Sequence, residues 1–413
     1  MNRPRLIFKC TIFTACFAPA AIWLAWDYAR AVRLVDGPMV QLVRTDGCTL
    51  TWRHHPHADA VVVVDAADQT APLTFQSSRQ DQRYIAVTSQ LQPGQQYRYR
   101  VTVDGGELST GVFRTTPNAP APFRILAFGD SGDGRRWQRR LAAQMTRFKP
   151  DLILHTGDLV YSDGEASKYP KHFSRPYAAL LKTAPFYPCL GNHDIRSDDG
   201  QPMLDHFLLP ENGPDGIPPE RHYWFDYADT RIIAIDSNAT PGELNQHIAP
   251  WLDRVLSEST RQRSIVFCHE PLFTSSRYPP TERLRRTLVP VLEKHNVDLV
   301  LQGHNHLYER SHPIRDGEPT RDGKGTIYVT TGAGGARLYE ARSNRPPEIA
   351  AQYDAGHSFT LIDVAGDHLS IKQIDRQGNI VDEYQRAEQS PTPTSRRPQP
   401  AQLVVSNGAS PQE

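Results

Sequence analysis

Five times in this sequence a short apolar run ends on residues that carry oxygen or imidazole donors. Leu152-Ile153-Leu154 runs into His155-Thr156-Gly157-Asp158, with Tyr161 close behind. Phe123 to Phe128 leads into Gly129-Asp130, and Phe186 to Leu190 into Gly191-Asn192-His193-Asp194. Ser264 to Cys268 leads into His269, and Leu299 to Gln302 into Gly303-His304-Asn305-His306. Short apolar runs stopped by glycine or a polar residue read as strands buried on both faces. In an open α/β sheet, ligands bind at the C-terminal ends of the strands. One Asp or His in such a place is most often a cap or an ordinary loop residue. Five in series require a body whose strand ends converge on one site.

From residue 123 onward these strands alternate with helical stripes. Trp137, Leu141, Met145 and Phe148 recur at helical spacing within 135–148, and 173–181 is similar. Trp251, Leu252 and Val255 mark 243–256, and Leu284, Leu288, Val291 and Leu292 mark 282–295. All are expected to be core faces. The Asp-, Gly- and Pro-rich stretch 196–222 is a long insertion expected to shape access to the site. A strand over 326–331 precedes Gly332-Ala333-Gly334-Gly335, and three more fall near 358–364, 368–374 and 379–384. Upstream, 32–117 reads as all-β, with strands near 40–43, 49–52, 60–64, 84–88, 97–103 and 111–115. It holds no metal or nucleophile constellation, and His54, His55 and His57 read as a solvated loop cluster. Residues 118–122 form a Pro/Ala linker. From 387 to 413 the chain is rich in Pro, Ser and Gln without periodicity, and is expected to be disordered.

At 413 residues the chain has room for two or three domains. The 46 basic and 46 acidic side chains cancel. With no long-range field, and no basic run interleaved with aromatics read from the pattern, no specific nucleic-acid partner is expected. Residues 1–31 are set apart: Arg3, Arg5 and Lys9 precede an uncharged stretch from Cys10 to Trp26, and Ala29-Arg30-Ala31 offers a small-x-small site. That is the pattern of a secretory signal. An uncleaved membrane anchor through residues 6–26 is the rival, since the uncharged stretch falls just short of the ~20 residues that span a bilayer. Either way the body is expected outside the cytoplasm, periplasmic or secreted. Cys189 and Cys268 lie inside strand runs and read as small buried thiols, bonded only if their strands are neighbours.

The order and spacing of Asp130-Ser131-Gly132, Gly157-Asp158-Leu159-Val160-Tyr161, Gly191-Asn192-His193-Asp194, His269 and Gly303-His304-Asn305-His306 resembles the calcineurin-like metallophosphoesterase superfamily over about 123–375. That superfamily's usual first motif is Asp-x-His and its second Gly-Asp-x-x-Asp. Here Gly132 stands in the place of the His and Tyr161 in the place of the second Asp. The pair of departures resembles the purple acid phosphatases, in which the tyrosine supplies the missing ligand. His306-Leu307-Tyr308-Glu309-Arg310, Gly332-Ala333-Gly334-Gly335 and Gly356-His357-Ser358-Phe359 are further matches. Trp52 and the corner Leu91–Tyr99 resemble a fibronectin type III sandwich, with a Trp in the core and a Tyr fixing a turn.

The resemblance implies an all-β, fibronectin III-like sandwich (32–117), then an α/β metallophosphoesterase domain of four αββα layers (123–386). It implies one metal on Asp130, Asp158, Tyr161 and His306, and a second on Asp158, Asn192, His269 and His304. The first set gathers hard anionic donors suited to Fe(III); the second, mostly neutral, suits Zn, Fe(II) or Mn. A metal-bound hydroxide would attack the phosphorus of a small-molecule phosphomonoester in line. Asn192 and His193 would contact the substrate, and His193 would help protonate the leaving oxygen. Some relatives carry further histidines after the His269 position. This chain has Glu270 to Tyr278 there, with Arg277 the candidate for a phosphate contact. A phosphodiesterase acting on nucleotides or glycerophosphodiesters would use the same motifs. A reading outside enzymes makes the sandwich an adhesion module on a degenerate body, and the intact set of seven donors argues against it.

Overall fold

The computed structural model describes residues 32–65 and 71–386. The signal or anchor segment 1–31 and the tail 387–413 lie outside the described residues. Among the described residues no helix is long and apolar enough to cross a membrane.

The first seven strands are β1 (Arg33–Arg44), β2 (Gly47–His55), β3 (Ala60–Asp65), β4 (Leu73–Gln80), β5 (Arg83–Val87), β6 (Gln96–Val103) and β7 (Gly106–Arg114). All their pairings are antiparallel, in the order β1-β2-β5-β4-β3-β6-β7. The first half of β4 pairs with β3 and the second half with β5, so this strand passes from one layer of the sandwich to the other. Sequence periodicity missed β4, because Leu73-Thr74-Phe75-Gln76-Ser77-Ser78-Arg79-Gln80 buries no side chain fully. The layers close on Cys48, Leu50, Trp52, Val62, Tyr99 and Phe113. Trp52 stacks on Tyr84 with ring centroids 5.7 Å apart. The Tyr97 hydroxyl accepts the backbone N–H of Gln92 at 2.8 Å and holds the corner before β6. The solvated reading of the histidine cluster holds for His55 and His57 and fails for His54. Strand alternation puts His54 on the buried face with Trp52, whose indole N–H donates to its Nδ1 at 3.1 Å.

The remaining strands make two sheets. The first contains β8 (Phe123–Phe128), β9 (Leu152–His155) and β10 (Phe186–Pro188) in parallel. The second begins with β11 (Tyr223–Tyr227), β12 (Thr230–Ala234), β13 (Arg263–Phe267), β14 (Leu299–Gln302) and β15 (Tyr308–Ser311). A small hairpin, β16 (Ile314–Arg315) and β17 (Glu318–Pro319), leads to β18 (Ile327–Thr331) and β19 (Ile349–Tyr353), which complete the second sheet. The chain then returns to the first sheet as β20 (Ser358–Ala365), β21 (His368–Asp375) and β22 (Ile380–Arg386). The sheet orders are β10-β9-β8-β20-β21-β22 and β11-β12-β13-β14-β18-β15-β19. Alternation along the strands shows how the layers stack. Ile232, Ala234, Ile265 and Phe267 face the other sheet, sharing one core with Ile125, Ala127, Leu152 and Ile362. Their neighbours Ile233, Ile235, Val266 and Cys268 face outward onto Trp251, Leu252, Leu284 and Leu288 of two covering helices, Ala249–Ser257 and Glu282–Lys294. The helices Arg136–Met145 and Arg175–Leu181 contribute Leu141, Met145, Tyr177 and Leu181 to the inter-sheet cluster. The arrangement is αββα.

One expectation about this body changes. In the helix Arg136–Met145 the buried positions are Gln138, Leu141, Ala142 and Met145, and Trp137 lies half-buried at the margin. The insertion 196–222 packs on the sandwich. His206 is buried against Tyr169, Phe173 and Asp36 of the sandwich, and Leu208 N–H donates to Gln41 Oε1 at 2.7 Å. The sandwich is further fixed by Tyr99, whose hydroxyl donates to Lys182 O at 3.1 Å, by the Arg114–Asp151 pair at 3.0 Å, and by Met39 in the inter-sheet core. Cys189 follows β10 in one sheet and Cys268 follows β13 in the other, and both are free, buried thiols.

Candidate metal centre

The parallel strands β8, β9 and β10 of one sheet and β13 and β14 of the other release their chains at the same edge. The loops there are laced by backbone hydrogen bonds: Asp130 N–H to Gly157 O at 3.0 Å, Ser131 N–H to Asp158 O at 3.2 Å, and Gly303 N–H to His269 O at 2.9 Å. Asp130, Asp158 and His304 all sit at positive φ (55°, 57° and 66°). Such backbone costs energy and persists where the surroundings enforce it, as happens at functional sites.

All seven proposed donors meet here. The Tyr161 hydroxyl lies 3.2 Å from Asp130 Oδ1, 2.8 Å from Asp158 Oδ2 and 3.0 Å from His306 Nε2. Asn192 Oδ1 lies 3.0 Å from His269 Nε2 and 3.0 Å from His304 Nδ1. Between the two groups stands Asp158, whose other oxygen, Oδ1, is 3.6 Å from His269 Nε2. Asp130, Asp158 and His269 form a buried trio able to hold a cation. Donors at 2.0–2.3 Å from one ion lie roughly 3 Å from each other, so these separations match the edges of coordination polyhedra. Two imidazoles are aimed from behind: the Nδ1 of His269 faces Thr156 O at 2.7 Å and that of His306 faces Arg337 O at 2.7 Å, which turns each Nε2 inward.

The electrostatics fit a cation. Burial pushes the Asp130 carboxyl up, but His306, His269 and His304 together hold it below its ordinary value. Burial opposes a charged His269, yet Asp158 and Asp130 raise its pKa to about 9. The Tyr161 phenol is pushed far up by burial, then by Asp158 and Asp130. Beside two carboxylates it ionises only with a strong positive charge at hand.

The steric record explains the exchange of motif residues. A Cβ on Gly132 would lie 1.6 Å from Leu159 O, because the first loop crosses the backbone of the second there. No side chain fits at 132, and Tyr161, whose N–H donates to Gly132 O at 2.8 Å, fills that side of the site. Gly191 is equally constrained, since a Cβ there would lie 2.2 Å from Asp158 Oδ1.

His193 is outside both donor groups. Its Nδ1 lies 2.5 Å from Ser162 O, and its Nε2 lies 4.0 Å from Asp158 Oδ2 on the open side of the centre. The exposed Arg277 is not among the donors. Its guanidinium lies over the rings of Tyr278 (4.9 Å) and Tyr339 (4.8 Å), and Tyr339 in turn stacks on His306 at 4.1 Å. Sequence reasoning missed Tyr339, which a bridge between Ser276 and Ala341 brings alongside the loop after His269. It also gave Asp194 no role beyond standing beside His193. The Asp194 carboxylate is buried and accepts the N–H groups of Asp158 (2.8 Å), Leu159 (2.9 Å), Gly191 (3.0 Å) and Val160 (3.3 Å). It ties the loop of Asp158 to that of Asn192, and burial, with Asp158 nearby, raises its pKa to about 7.

Residues 123–308 match the family model described as calcineurin-like phosphoesterase. Purple acid phosphatase 21 of Arabidopsis thaliana is 29% identical over 312 residues, covering 71% of this chain and 69% of that protein. Acid phosphatase type 7 of Mus musculus is 25% identical over 331 residues, covering 71% of this chain and 74% of that protein. The structure of a purple acid phosphatase from yellow lupin (Lupinus luteus) seeds is similar in fold, with a TM-score of 0.73 at 18% identity over 84% of this chain and 73% of that one. With its domain match, its relatives and its strand-end donors in agreement, residues 123–308 of this chain form a calcineurin-like phosphoesterase domain homologous to the purple acid phosphatases.

Proposed function

We propose that this protein hydrolyses small phosphomonoesters at a dinuclear centre of Fe(III) and a divalent ion (Zn, Fe or Mn). Asp130, Asp158, Tyr161 and His306 would hold the first ion, and Asp158, Asn192, His269 and His304 the second. The observation that carries this reading is Asp158, which stands between the two donor groups, with Oδ2 2.8 Å from the Tyr161 hydroxyl and Oδ1 3.6 Å from His269 Nε2 while it accepts the His193 N–H at 2.9 Å. A single-ion site has no use for that placement. The phenol of Tyr161 and the carboxylates of Asp130 and Asp158 favour a hard trivalent ion on one side, and Asn192 with two imidazoles a softer divalent ion on the other.

When bound, the two ions supply charge neutralisation for the phosphate oxygens and a water acidic enough to attack phosphorus. The rest is done by side chains. His269 and His306 are held in one orientation by Thr156 O and Arg337 O, and Asp194 keeps the Asp158 and Asn192 loops in register. Asn192 and His193 face the open side, where the ester would lie, and His193 carries a proton to the leaving oxygen. Arg277, whose guanidinium lies over Tyr278 and Tyr339, is the candidate for a contact with the phosphate. An extracytoplasmic location rests on the 1–31 segment alone.

The test is a substrate panel on the purified mature protein. p-Nitrophenyl phosphate and an alkyl monoester should be turned over with higher kcat/KM than bis(p-nitrophenyl) phosphate. A diester preference would overturn the monoester reading, and inertness toward the whole panel would overturn the enzymatic one.

A further inference from the structure

The segment Arg135-Arg136-Trp137-Gln138-Arg139-Arg140 is a basic run around an aromatic residue in a chain whose net charge is zero. It was hidden because Trp137 falls on the helical stripe of core residues. In the structure Trp137 is at the margin, and three guanidinium groups surround its ring: Arg136 at 4.3 Å, Arg140 at 5.2 Å and Arg376, from the turn after β21, at 5.0 Å. Among the described residues none of the three pairs with a carboxylate. The acids nearby are engaged elsewhere. Asp133 accepts the backbone N–H of Arg135 at 2.8 Å and pairs with its side chain at 3.6 Å, and Asp375 accepts the N–H groups of Gln377 and Asn379 at 2.8 Å each. Three like charges held around one ring without counter-charge repel one another, and an anion that spans them relieves that repulsion.

Two further observations fix the kind of anion. The indole is already covered by guanidinium groups, which leaves it a scaffold for charges rather than a free stacking surface for a nucleobase. Among the described residues the large exposed apolar ones are Val35, Val87, Tyr278 and Ile380; of these only Ile380, just past the turn of Arg376, is near the patch in sequence, and one side chain does not anchor a surface in a bilayer. Recognition here is of closely spaced negative charge alone. The patch also lies on the same edge as the metal centre. The helix Arg136–Met145 begins just after the Asp130 loop, and the chain between Asp130 and Arg136 can span at most about 22 Å. His357, 6.2 Å from the Trp137 ring, precedes Ser358, whose N–H donates to Ala333 O beside Gly332. A Cβ on Gly332 would lie 2.8 Å from Asp130 Oδ2.

We propose that Arg136, Arg140 and Arg376, arrayed on Trp137, form a binding surface for a run of phosphates, and that the substrate class of the neighbouring centre includes linear oligo- and polyphosphates. The proposal rests on the phosphoesterase reading for its chemistry and on the patch for its specificity. The patch holds the inner phosphates while the terminal one enters the centre. Water oxygen bonds to the terminal phosphorus, the bridging P–O bond breaks, and its electron pair leaves with the shortened chain. One orthophosphate is released, and the water's proton passes to the departing oxygen or to solvent.

The test compares the full-length wild type with the triple variant Arg136→Gln, Arg140→Gln, Arg376→Gln. The measured quantity is the ratio of kcat/KM for linear inorganic polyphosphate to that for p-nitrophenyl phosphate. This ratio should fall about tenfold or more, and the rise of the polyphosphate KM with salt should flatten, as fewer phosphate contacts remain to be screened. If the triple variant does not fold, Arg140→Gln alone should lower the ratio about threefold. An unchanged ratio overturns the proposal. Polyphosphate binding by wild type and its loss in the triple variant are measured separately. Patch-dependent binding by a protein inert toward every phosphoester would keep the surface and discard the phosphoesterase reading. Loss of binding to phosphatidylglycerol vesicles with polyphosphate binding intact would make the patch a membrane contact and overturn the assignment.

Discussion

Asp158→Asn is expected to deplete both metal ions and to abolish turnover more completely than any change to a donor on one side of the centre. The carboxylate serves both groups: Oδ2 lies 2.8 Å from the Tyr161 hydroxyl and Oδ1 3.6 Å from His269 Nε2. An amide keeps the shape and removes the shared negative charge, and its nitrogen cannot act as an anionic ligand. The loss should exceed the roughly 10–100-fold that follows removal of an outer partner at a metal site. Asn192→Ala is the control, since it should deplete one ion only. Elemental analysis of the two variants decides the point. Retention of both ions by Asp158→Asn would show that this carboxylate does not bridge.

The second large effect is expected at His193. Its Nδ1 is engaged by Ser162 O at 2.5 Å, so the ring is fixed with Nε2 on the open side of the centre; only its backbone N–H, which donates to Asp158 Oδ1 at 2.9 Å, touches a donor, and alanine keeps that bond. His193→Ala should therefore keep both metals. A proton donor matters most when the departing oxygen is strongly basic. The loss of turnover should approach 10²–10⁴-fold for an alkyl phosphate and be much smaller for p-nitrophenyl phosphate, whose phenolate leaves nearly unaided. Steady-state kinetics on the two esters gives the comparison. Equal losses on both would make His193 a phosphate-binding residue, and a lost metal would make it a ligand.

The site could be read largely from the sequence because its parts are local. Each donor follows an apolar run within a few residues, and glycine or a polar residue marks where the run stops. The rule that parallel strands open at one edge brings the motifs at Asp130, Asp158, Asn192, His269 and His304 together, and the family resemblance supplies which of their side chains serve as donors. What could not be read depends on contacts distant in sequence. Tyr339 reaches the centre through a loop bridged at Ser276 and Ala341, and Asp194 earns its place by collecting N–H groups from another strand's loop. Strand β4 escaped notice because it buries no side chain fully and carries the chain between layers. Trp137 was misjudged for the opposite reason. Its spacing is that of a core residue, but the inward position went to Gln138, whose Oε1 accepts the Gly134 N–H at 2.9 Å. Periodicity reports the face a residue shares, and the neighbouring chain decides how deep that face lies.

The glycine at 132 links motif to metal choice. Since a Cβ there would meet Leu159 O, a histidine is excluded from the first loop, and the tyrosine of the second loop takes the vacant quadrant. The central claim is therefore that seven residues, Tyr161 among them, hold two unlike ions. Metal analysis of the purified mature protein, read together with its visible absorption spectrum, tests this most directly. The account predicts two metal ions per chain, one of them iron, and a phenolate-to-Fe(III) band that disappears in Tyr161→Phe. A fully active protein with a single ion per chain, or an iron band that survives Tyr161→Phe, would contradict it.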